Sequence, residues 1–149
     1  MQEVRFERVT SCDGILEVLN LFTPYLRTLS TGVVNKEEYS NKILKNGILI
    51  KLVVNRDIVG FASFYCNDLK EKNAYLTFIA VSDMYRSRGL GKLILDEVKK
   101  ISIISGMKGL KLEVRKENKK VCAFYKKQGF EEIMIDDKND SIKMYCKLY

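Results

Sequence analysis

Residues 86–91, with the sequence Arg-Ser-Arg-Gly-Leu-Gly, are the segment whose residue types and spacing are best suited to chemistry. They join an apolar stretch, typical of a buried strand, to the first turn of an amphipathic helix, where several backbone N–H groups have no partner within the helix. Glycine at 89 and 91 lets a ligand approach the main chain without meeting a Cβ atom, and the positive end of the helix dipole favours an anion. The segment therefore predicts a phosphate-binding site, and a pyrophosphate fits it.

Histidine is absent from the 149 residues, and this absence excludes several classes of active site. Without imidazole there is no Ser-His-Asp triad, no Cys-His pair and no His-ligated zinc or haem. The four cysteines, Cys12, Cys66, Cys122 and Cys146, form no CxxC pair, so we expect reduced thiols and no metal site. Proton transfer near neutral pH is left to carboxylates, phenols, amines or water.

The chain is basic, because 26 Lys and Arg against 19 Asp and Glu give a formal net charge of +7, most of it in the second half. This excess favours an anionic ligand there. We expect no nucleic-acid partner, since helices would expose these lysines to solvent and the chain lacks the interleaved aromatic and basic residues of single-strand binders. No apolar run approaches the ~18 residues of a membrane span, so we expect a cytoplasmic protein without a membrane partner.

Hydrophobic periodicity and turn signals predict the elements that position the glycine segment. Strands are predicted at 4–10, 48–54, 57–66, 74–81, 110–115, 130–137 and 141–149. Four helices are predicted: one begins after Ser11, one begins after Asn35, one runs from Leu90 until Gly106 and Gly109 end it, and one covers 118–128. The buried helix faces are expected to carry Leu90, Leu93, Ile94, Val98 and Ile101 in the long helix, and Val121, Phe124 and Tyr125 in the last one.

The predicted order β-α-α-β-β-β-α-β-α-β-β indicates an α+β fold. Its strand–helix–strand centre requires a right-handed crossover, and hence a central parallel pair of strands. We expect one domain over residues 1–149, with a mixed sheet of about seven strands and about four helices.

The glycine segment departs from two common phosphate-binding motifs. A P-loop needs Ser or Thr after its lysine, where Leu93 stands, and a dinucleotide fingerprint needs a third glycine where Ile94 stands. The Arg/Gln-x-x-Gly-x-Gly/Ala pattern instead resembles the acetyl-CoA loop of the GNAT N-acetyltransferase superfamily. The strand LTFIAV resembles the fourth strand of that family, and KLEVRKENKKVCAFYKKQGFEE resembles its second motif, with Asn118, Tyr125, Gly129 and Phe130 in the expected places. The element order also matches, so the resemblance covers nearly the whole chain.

This resemblance implies acetyl-CoA as a cosubstrate and no metal. The residues expected to hold the pyrophosphate, mainly through their backbone, are Arg86, Arg88, Gly89, Leu90, Gly91 and Lys92, with Arg88 and Lys92 adding positive charge. The main chain of Ile79 and Val81 is expected to pair with the pantetheine arm, because parallel strands that separate after Val81 leave peptide groups unpaired. Asn118 has two interpretations, a helix N-cap and a cofactor contact.

The resemblance further implies transfer of the acetyl group to a primary amine by direct attack in a ternary complex. Tyr125 is the candidate acid and a further cofactor contact; it lies two turns after Asn118, and its phenol, with a pKa of about 10, can donate a hydrogen bond to the leaving thiolate. The alternative is a core tyrosine beside Phe124. Glu113 is the candidate base through a narrower resemblance to the ribosomal-protein alanine N-acetyltransferases. A solvated or ion-paired Glu113, with water as the base, is the alternative.

The acceptor, a small-molecule or peptide amine, is expected between the first two helices and the final hairpin, with Tyr25 and Arg27 in one wall. Asp136, Asp137 and Asp140 have two interpretations, attraction of a cationic amine and turn formation. The oligomeric state is left open, with a homodimer among the alternatives. The alternative function is a non-catalytic acyl-CoA-binding or sensing module with the same fold.

Overall fold

The computed structural model describes residues 3–26 and 35–149, and the structural statements below concern these residues. Its strands are β1 (Val4–Arg8), β2 (Ile48–Val54), β3 (Asp57–Tyr65), β4 (Asn73–Val81), β5 (Gly109–Arg115), β6 (Glu131–Asp136) and β7 (Ser141–Lys147). Its α-helices are α1 (Cys12–Leu21), α2 (Lys36–Asn46), α3 (Leu90–Ile104) and α4 (Lys119–Lys127), and short 3-10 helices cover Thr23–Tyr25 and Asp83–Tyr85. None of these helices is long and apolar enough to cross a membrane.

All seven strands form one mixed sheet in the order β1-β2-β3-β4-β5-β7-β6. Only β4 and β5 run parallel, and the other neighbouring pairs are antiparallel. The parallel pair follows from the crossover through α3, since a parallel connection must carry the chain back along the sheet. The predicted α+β fold, element order and central parallel pair are confirmed.

Two apolar cores lie on opposite faces of the sheet. Residues of α3 and α4, such as Ile94 and Tyr125, pack with Leu110, Leu112 and other residues of every strand from β2 to β7 except β6. On the opposite face, α1 and α2 pack on residues of β2, β3 and β4, among them Leu49 and Phe61. The helices of the described ranges therefore cover β5 and β7 on one face only.

Two predicted helix faces and one predicted helix end need correction. Leu93 is 39% exposed while Leu95 is fully buried, because the buried stripe of α3 follows positions 94, 95, 98 and 102. In α4, Cys122 is buried together with Tyr125, whereas Val121 and Phe124 are only partly buried. Gly106, with a φ of 86°, follows the end of α3, but Gly109 belongs to β5.

The four cysteines are free. Cys122 and Cys146 are buried, and Cys12 and Cys66 are half-buried. Burial raises the pKa of the Cys66 thiol, which keeps it protonated near neutral pH.

Candidate active site

The parallel strands β4 and β5 separate in the middle of the sheet. They are paired only from Asn73 with Gly109 to Tyr75 with Lys111, although β4 continues to Val81. The predicted separation after Val81 is therefore wrong, since the strands part six residues earlier. The register suggests the cause: Phe64 pairs with Leu76 and Ser63 with Phe78, which leaves Thr77 as a β-bulge. A bulge bends its strand and increases the local twist, so it turns β4 away from β5.

The main-chain groups of Ile79 and Val81 face this opening. The Ser82 N–H donates to the Val59 carbonyl at 2.8 Å, and peptide groups alternate in direction along a strand, so Ala80 also bonds toward β3. Ile79 and Val81 must then point to the side where β5 is missing. The Arg86 Nε atom donates to the Val81 carbonyl from that side, at 3.3 Å. The edge of β4 thus turns the main-chain groups of Ile79 and Val81 toward the opening, and within the described residues only the Val81 carbonyl has a partner there.

Gly89 gives the turn before α3 its shape. It occupies the N-cap position with a φ of 76° and a ψ of 11°, a left-handed conformation, and Ser87 is also left-handed with a φ of 64°. No side chain among the described residues caps the first turn of α3, and that turn contains no acidic residue. A Cβ atom at Gly89 would meet nothing within 4 Å. The turn therefore leaves backbone N–H groups available to an anion beside Leu90, the half-buried first residue of the helix.

The Cα atom of Gly91 faces α4, a packing contact that the sequence did not predict. A Cβ atom there would lie 3.6 Å from the Phe124 Cζ atom, so it would point toward α4. The space admits a methyl group and little more, which agrees with glycine or alanine at this place of the pattern. Gly91 brings α4, and with it Tyr125, close to the start of α3.

The cationic side chains of the turn already have partners. Lys92 is 2.7 Å from the Asp96 carboxylate, an ion pair along α3 that offsets the positive charge predicted for it. The Arg88 guanidinium lies 5.1 Å from the centre of the Tyr85 ring and has no carboxylate partner in the described part of the chain. An anion at this turn is therefore met mainly by backbone N–H groups and by Arg88.

Arg86 connects the turn to the segment after α1, a contact that sequence reasoning missed. Its guanidinium lies 5.1 Å from the centre of the Tyr25 ring and 3.1 Å from the Asp83 carboxylate. The Asp83 N–H donates to the Tyr25 hydroxyl at 3.3 Å. Tyr25, predicted in the acceptor wall, thereby contacts the turn before α3, while Arg27 lies outside the described residues. No local signal marks a pairing between positions 58 residues apart.

Asn118 and Tyr125 lie on α4 as predicted. Asn118 occupies the predicted N-cap position and its carbonyl accepts from the Cys122 N–H, but its exposed side chain makes no capping hydrogen bond within the described residues, so the amide is available to a ligand. Tyr125 is 5% exposed and packs between Phe124 and Phe130. Its hydroxyl has no hydrogen-bond partner among the residues described, and burial raises its pKa well above the usual value, so the phenol is neutral.

Glu113 lies on the face of β5 that points away from α3 and α4. Strand alternation places Lys111 and Arg115 on that face with it, as predicted. The Ser141 hydroxyl donates to its Oε1 atom at 2.9 Å, and within the described ranges Glu113 forms no ion pair. Burial and, to a smaller extent, the charge of Glu113 raise the pKa of Tyr75, the last residue of β4 paired with β5. Glu113 therefore lies on β5 just beyond the point where β4 and β5 separate.

Aromatic residues from α2, β3 and β4 lie on the same face of the sheet as Glu113. The hydroxyl groups of Tyr39 and Ser63 are 2.8 Å apart, and the Tyr39 ring packs edge-on against Phe78 with their centres separated by 5.6 Å. Tyr65 and Tyr75 are neighbours across β3 and β4. Their sequence pattern indicated only strands and a helix face, because the sheet order decides which faces meet.

The acidic residues of the last hairpin form its turn. The Asp136 carboxylate accepts hydrogen bonds from the Asn139 backbone and side chain, at 3.2 Å and 2.8 Å, and Asp137 is ion-paired with Lys116. Asp140 has a left-handed backbone with a φ of 51°. For Asp136 the turn-forming interpretation is therefore confirmed.

Comparison with known proteins identifies the class of enzyme that this fold and opening define. The sequence profile of the Acetyltransferase (GNAT) family matches residues 15–130, so the chain belongs to the GNAT family of acetyltransferases. An N-alpha-acetyltransferase of Sulfurisphaera tokodaii is 26% identical over 136 residues, which cover 89% of this chain and 81% of that protein.

Solved structures of low sequence identity share the fold. The ribosomal-protein-S18-alanine N-acetyltransferase from Escherichia coli matches with a TM-score of 0.79 and 20% identity, over 98% of this chain and 94% of that one. The PaiA N-acetyltransferase from Thermoplasma acidophilum, in complex with coenzyme A, matches with a TM-score of 0.69 and 18% identity, over 96% and 99% of the two chains. The family resemblance read from the sequence is confirmed.

Proposed function

We propose that the protein transfers the acetyl group of acetyl-CoA to a primary amine by direct attack in a ternary complex. One observation carries the proposal: the unpaired edge of β4 leads, within a few residues, into the uncapped left-handed turn before α3. A ligand that follows this path meets first main-chain groups suited to amides and then N–H groups suited to phosphates. Coenzyme A has this order of groups, and a coenzyme A complex of a protein with this fold supports the assignment.

The cofactor contacts follow from this geometry. The pyrophosphate would accept hydrogen bonds from the backbone of Arg86 to Lys92, with the Arg88 guanidinium nearby. The pantetheine amides would pair with Ile79 and Val81, where Arg86 holds the Val81 carbonyl in the present conformation. The exposed Asn118 side chain supplies a further contact from α4.

The attacking amine must first lose a proton. For a lysine-like amine with a pKa of ~10.4 the cost at pH 7 is roughly 4 kcal/mol, and for an α-amine with a pKa near 8 it is about 1 kcal/mol. Glu113 would accept this proton, directly or through a water molecule, because it lies on β5 two residues beyond the last pair with β4. Its exposure allows the proton to pass on to solvent. An α-amine needs only a weak base to lose its proton, which suits an exposed carboxylate such as Glu113. Two relatives are also named for α-amine substrates, so both points favour an α-amine acceptor.

The reaction forms a bond from the amine nitrogen to the acetyl carbonyl carbon and breaks the carbon–sulfur bond. The peptide N–H of Ile79 faces the opening and would polarise the carbonyl oxygen. The proton that the nitrogen loses when the amide forms would pass through solvent to the thiolate that leaves, and Tyr125 would donate a hydrogen bond to the negative charge that develops on the sulfur. Its raised pKa keeps the phenol protonated for this step.

The test is to follow thiol release from acetyl-CoA with a panel of amines and to confirm the acetylated product by mass spectrometry. Tyr125→Phe should lower kcat about a hundredfold with an unchanged Kd for acetyl-CoA, because a positioned acid contributes at least that factor. Tyr149→Phe, at a site 63% exposed at the chain end, is the control and should change neither constant.

Initial rates test the direct attack. With both substrates varied, double-reciprocal plots should intersect. Parallel lines or an acetylated enzyme would contradict direct transfer. If acetyl-CoA binds and no amine in the panel is acetylated, the protein is the non-catalytic acyl-CoA module instead.

A further inference from the structure

The face of β5 and β7 that points away from α3 and α4 forms an open surface beside Glu113. We define this β5–β7 face by the residues that alternate onto it: Lys111, Glu113, Arg115, Ser141, Lys143, Tyr145 and Lys147. In the described part of the chain neither α1 nor α2 packs on it, because their core includes strand residues of β2, β3 and β4 only. An acceptor that approaches Glu113 therefore approaches over this surface.

Glu113 is the one carboxylate that β5 and β7 place on this face, and cations surround it. Lys143 is directly opposite it in the antiparallel register. The Cα atoms of opposed residues are about 5 Å apart. Lys111 and Arg115 lie two residues before and after Glu113 along β5, with their Cα atoms about 7 Å from that of Glu113. The nearest charged neighbours of the candidate base are thus positive.

Ion pairing offsets only part of this charge. Arg115 is paired with Glu117 at 3.1 Å, but Lys111 and Lys143 form no ion pair within residues 3–26 and 35–149. The outer strand β6 places Glu131 opposite Tyr145 and Asp136 opposite Ser141 on the same face. Lys143 helps to lower the pKa of Asp136, but both oxygens of that carboxylate are held by Asn139. No described carboxylate therefore holds Lys111 or Lys143 in an ion pair, and the Asp136 charge acts on Lys143 only from a distance.

We infer that the acceptor carries its own carboxylate groups close to the reacting amine, as a free amino acid or a peptide N-terminus followed by Asp or Glu does. This inference rests on the proposed function and names the substrate class of the same site. An ammonium alone meets one negative and at least two positive groups here, whereas an amine with neighbouring carboxylates pairs its nitrogen with Glu113 and its oxygens with Lys111 and Lys143. The same surface disfavours polyamines and other amines with several positive charges.

The experiment compares kcat/KM for peptides that share an N-terminal alanine and for three small-molecule amines. The peptides begin Ala-Glu-Glu, Ala-Gln-Gln or Ala-Lys-Lys, and aspartate, alaninamide and putrescine are the small-molecule arm. Each lysine–carboxylate pair on a solvated face is worth about a 1.4- to 5-fold effect, so the Glu peptide should exceed the Gln peptide by about 2- to 25-fold at low salt. The advantage should shrink in 1 M salt, where the Debye length falls to about 3 Å.

Variants assign the effect to this face. Lys111→Gln with Lys143→Gln should remove most of the preference for the Glu peptide. Lys100→Gln, an exposed lysine on α3, matches the loss of charge and should leave the preference intact.

The outcomes separate the inference from the proposed function. Acetylation that favours the Lys peptide or putrescine, or a Glu preference that persists in the double variant, would overturn the inference and leave the N-acetyltransferase function standing. Inhibition by a single-stranded RNA at low salt that only the double variant abolishes would assign the face to a polyanion and also overturn it. Acetylation of no amine at all would refute the proposed function and the inference together. A preference for aspartate over both acidic and neutral peptides would identify a free amino acid as the source of the carboxylate.

Discussion

Substitutions of Gly89 test most directly whether the turn before α3 binds acetyl-CoA, because the backbone conformation of Gly89 and the space around it limit a new side chain in different ways. Its φ of 76° is strained for a residue with a Cβ atom, while the Cβ itself would lie in open space. Alanine should therefore destabilise the fold by about 1 to 2 kcal/mol through conformation alone. Asparagine tolerates the left-handed region better, so Gly89→Asn should cost less stability while it fills the open space with an amide.

These energies can be measured by thermal unfolding. For a chain of 149 residues, 1 kcal/mol corresponds to about 3 °C in Tm. Gly89→Ala should then lower the Tm by about 3 to 6 °C, and Gly89→Asn by less. Acetyl-CoA at 100 times its Kd should raise the wild-type Tm by about 8 °C, the equivalent of about 2.7 kcal/mol.

The variant of interest is Gly89→Asn, which should keep most of the wild-type Tm and lose most of the shift with acetyl-CoA. Gly106 offers a matched control at the other end of α3, since it has a φ of 86° and a Cβ there would also meet nothing within 4 Å. Gly106→Asn should retain the full shift. A wild-type acetyl-CoA shift in Gly89→Asn would refute the reasoning, because the added side chain would then lie outside the ligand's path.

Three further outcomes are expected. Tyr25→Phe removes the acceptor of the Asp83 N–H and should lower the free energy of unfolding in urea by about 1 kcal/mol. Gly109→Ala places a methyl group in the space of the Tyr145 ring and should cost about 1 to 3 kcal/mol in the same assay, whereas an unchanged stability would show that the ring moves aside without strain. Burial raises the pKa of Tyr125 in the folded chain, whereas the tyrosine of the unfolded chain has a pKa of about 10. Above pH 10 the unfolded chain therefore loses a phenol proton that the folded chain keeps, so the free energy of unfolding should fall as the pH rises. The fall should be less steep in Tyr125→Phe.

Local chemistry explains what the sequence predicted well. The Ser11 hydroxyl accepts a hydrogen bond from the Gly14 N–H, and the Asn35 side chain accepts two from Glu37 and Glu38, so α1 and α2 begin where their caps indicated. Helix caps, periodicity and the crossover rule act over short stretches of chain, and the glycine turn is itself a local feature. For this reason the element order, the parallel pair and the place of the glycine turn before α3 were predictable.

The errors and omissions depend on contacts between distant parts of the chain. The bulge at Thr77 requires the register of β3 against β4, and it moves the strand separation away from Val81. Gly91 faces Phe124 because two helices meet there, and the Arg86 contact with Tyr25 joins two separate turns. Neither spacing nor residue type encodes these pairings before the fold is known.

Amide hydrogen exchange with and without coenzyme A tests most directly whether the turn and the β4 edge hold the cofactor. Saturating coenzyme A should slow exchange at Ile79, Val81, Gly89 and Leu90, whose N–H groups would gain partners, and leave Gly106 unchanged. Coenzyme A that binds, as calorimetry would show, without slowing exchange at these four amides would contradict the account.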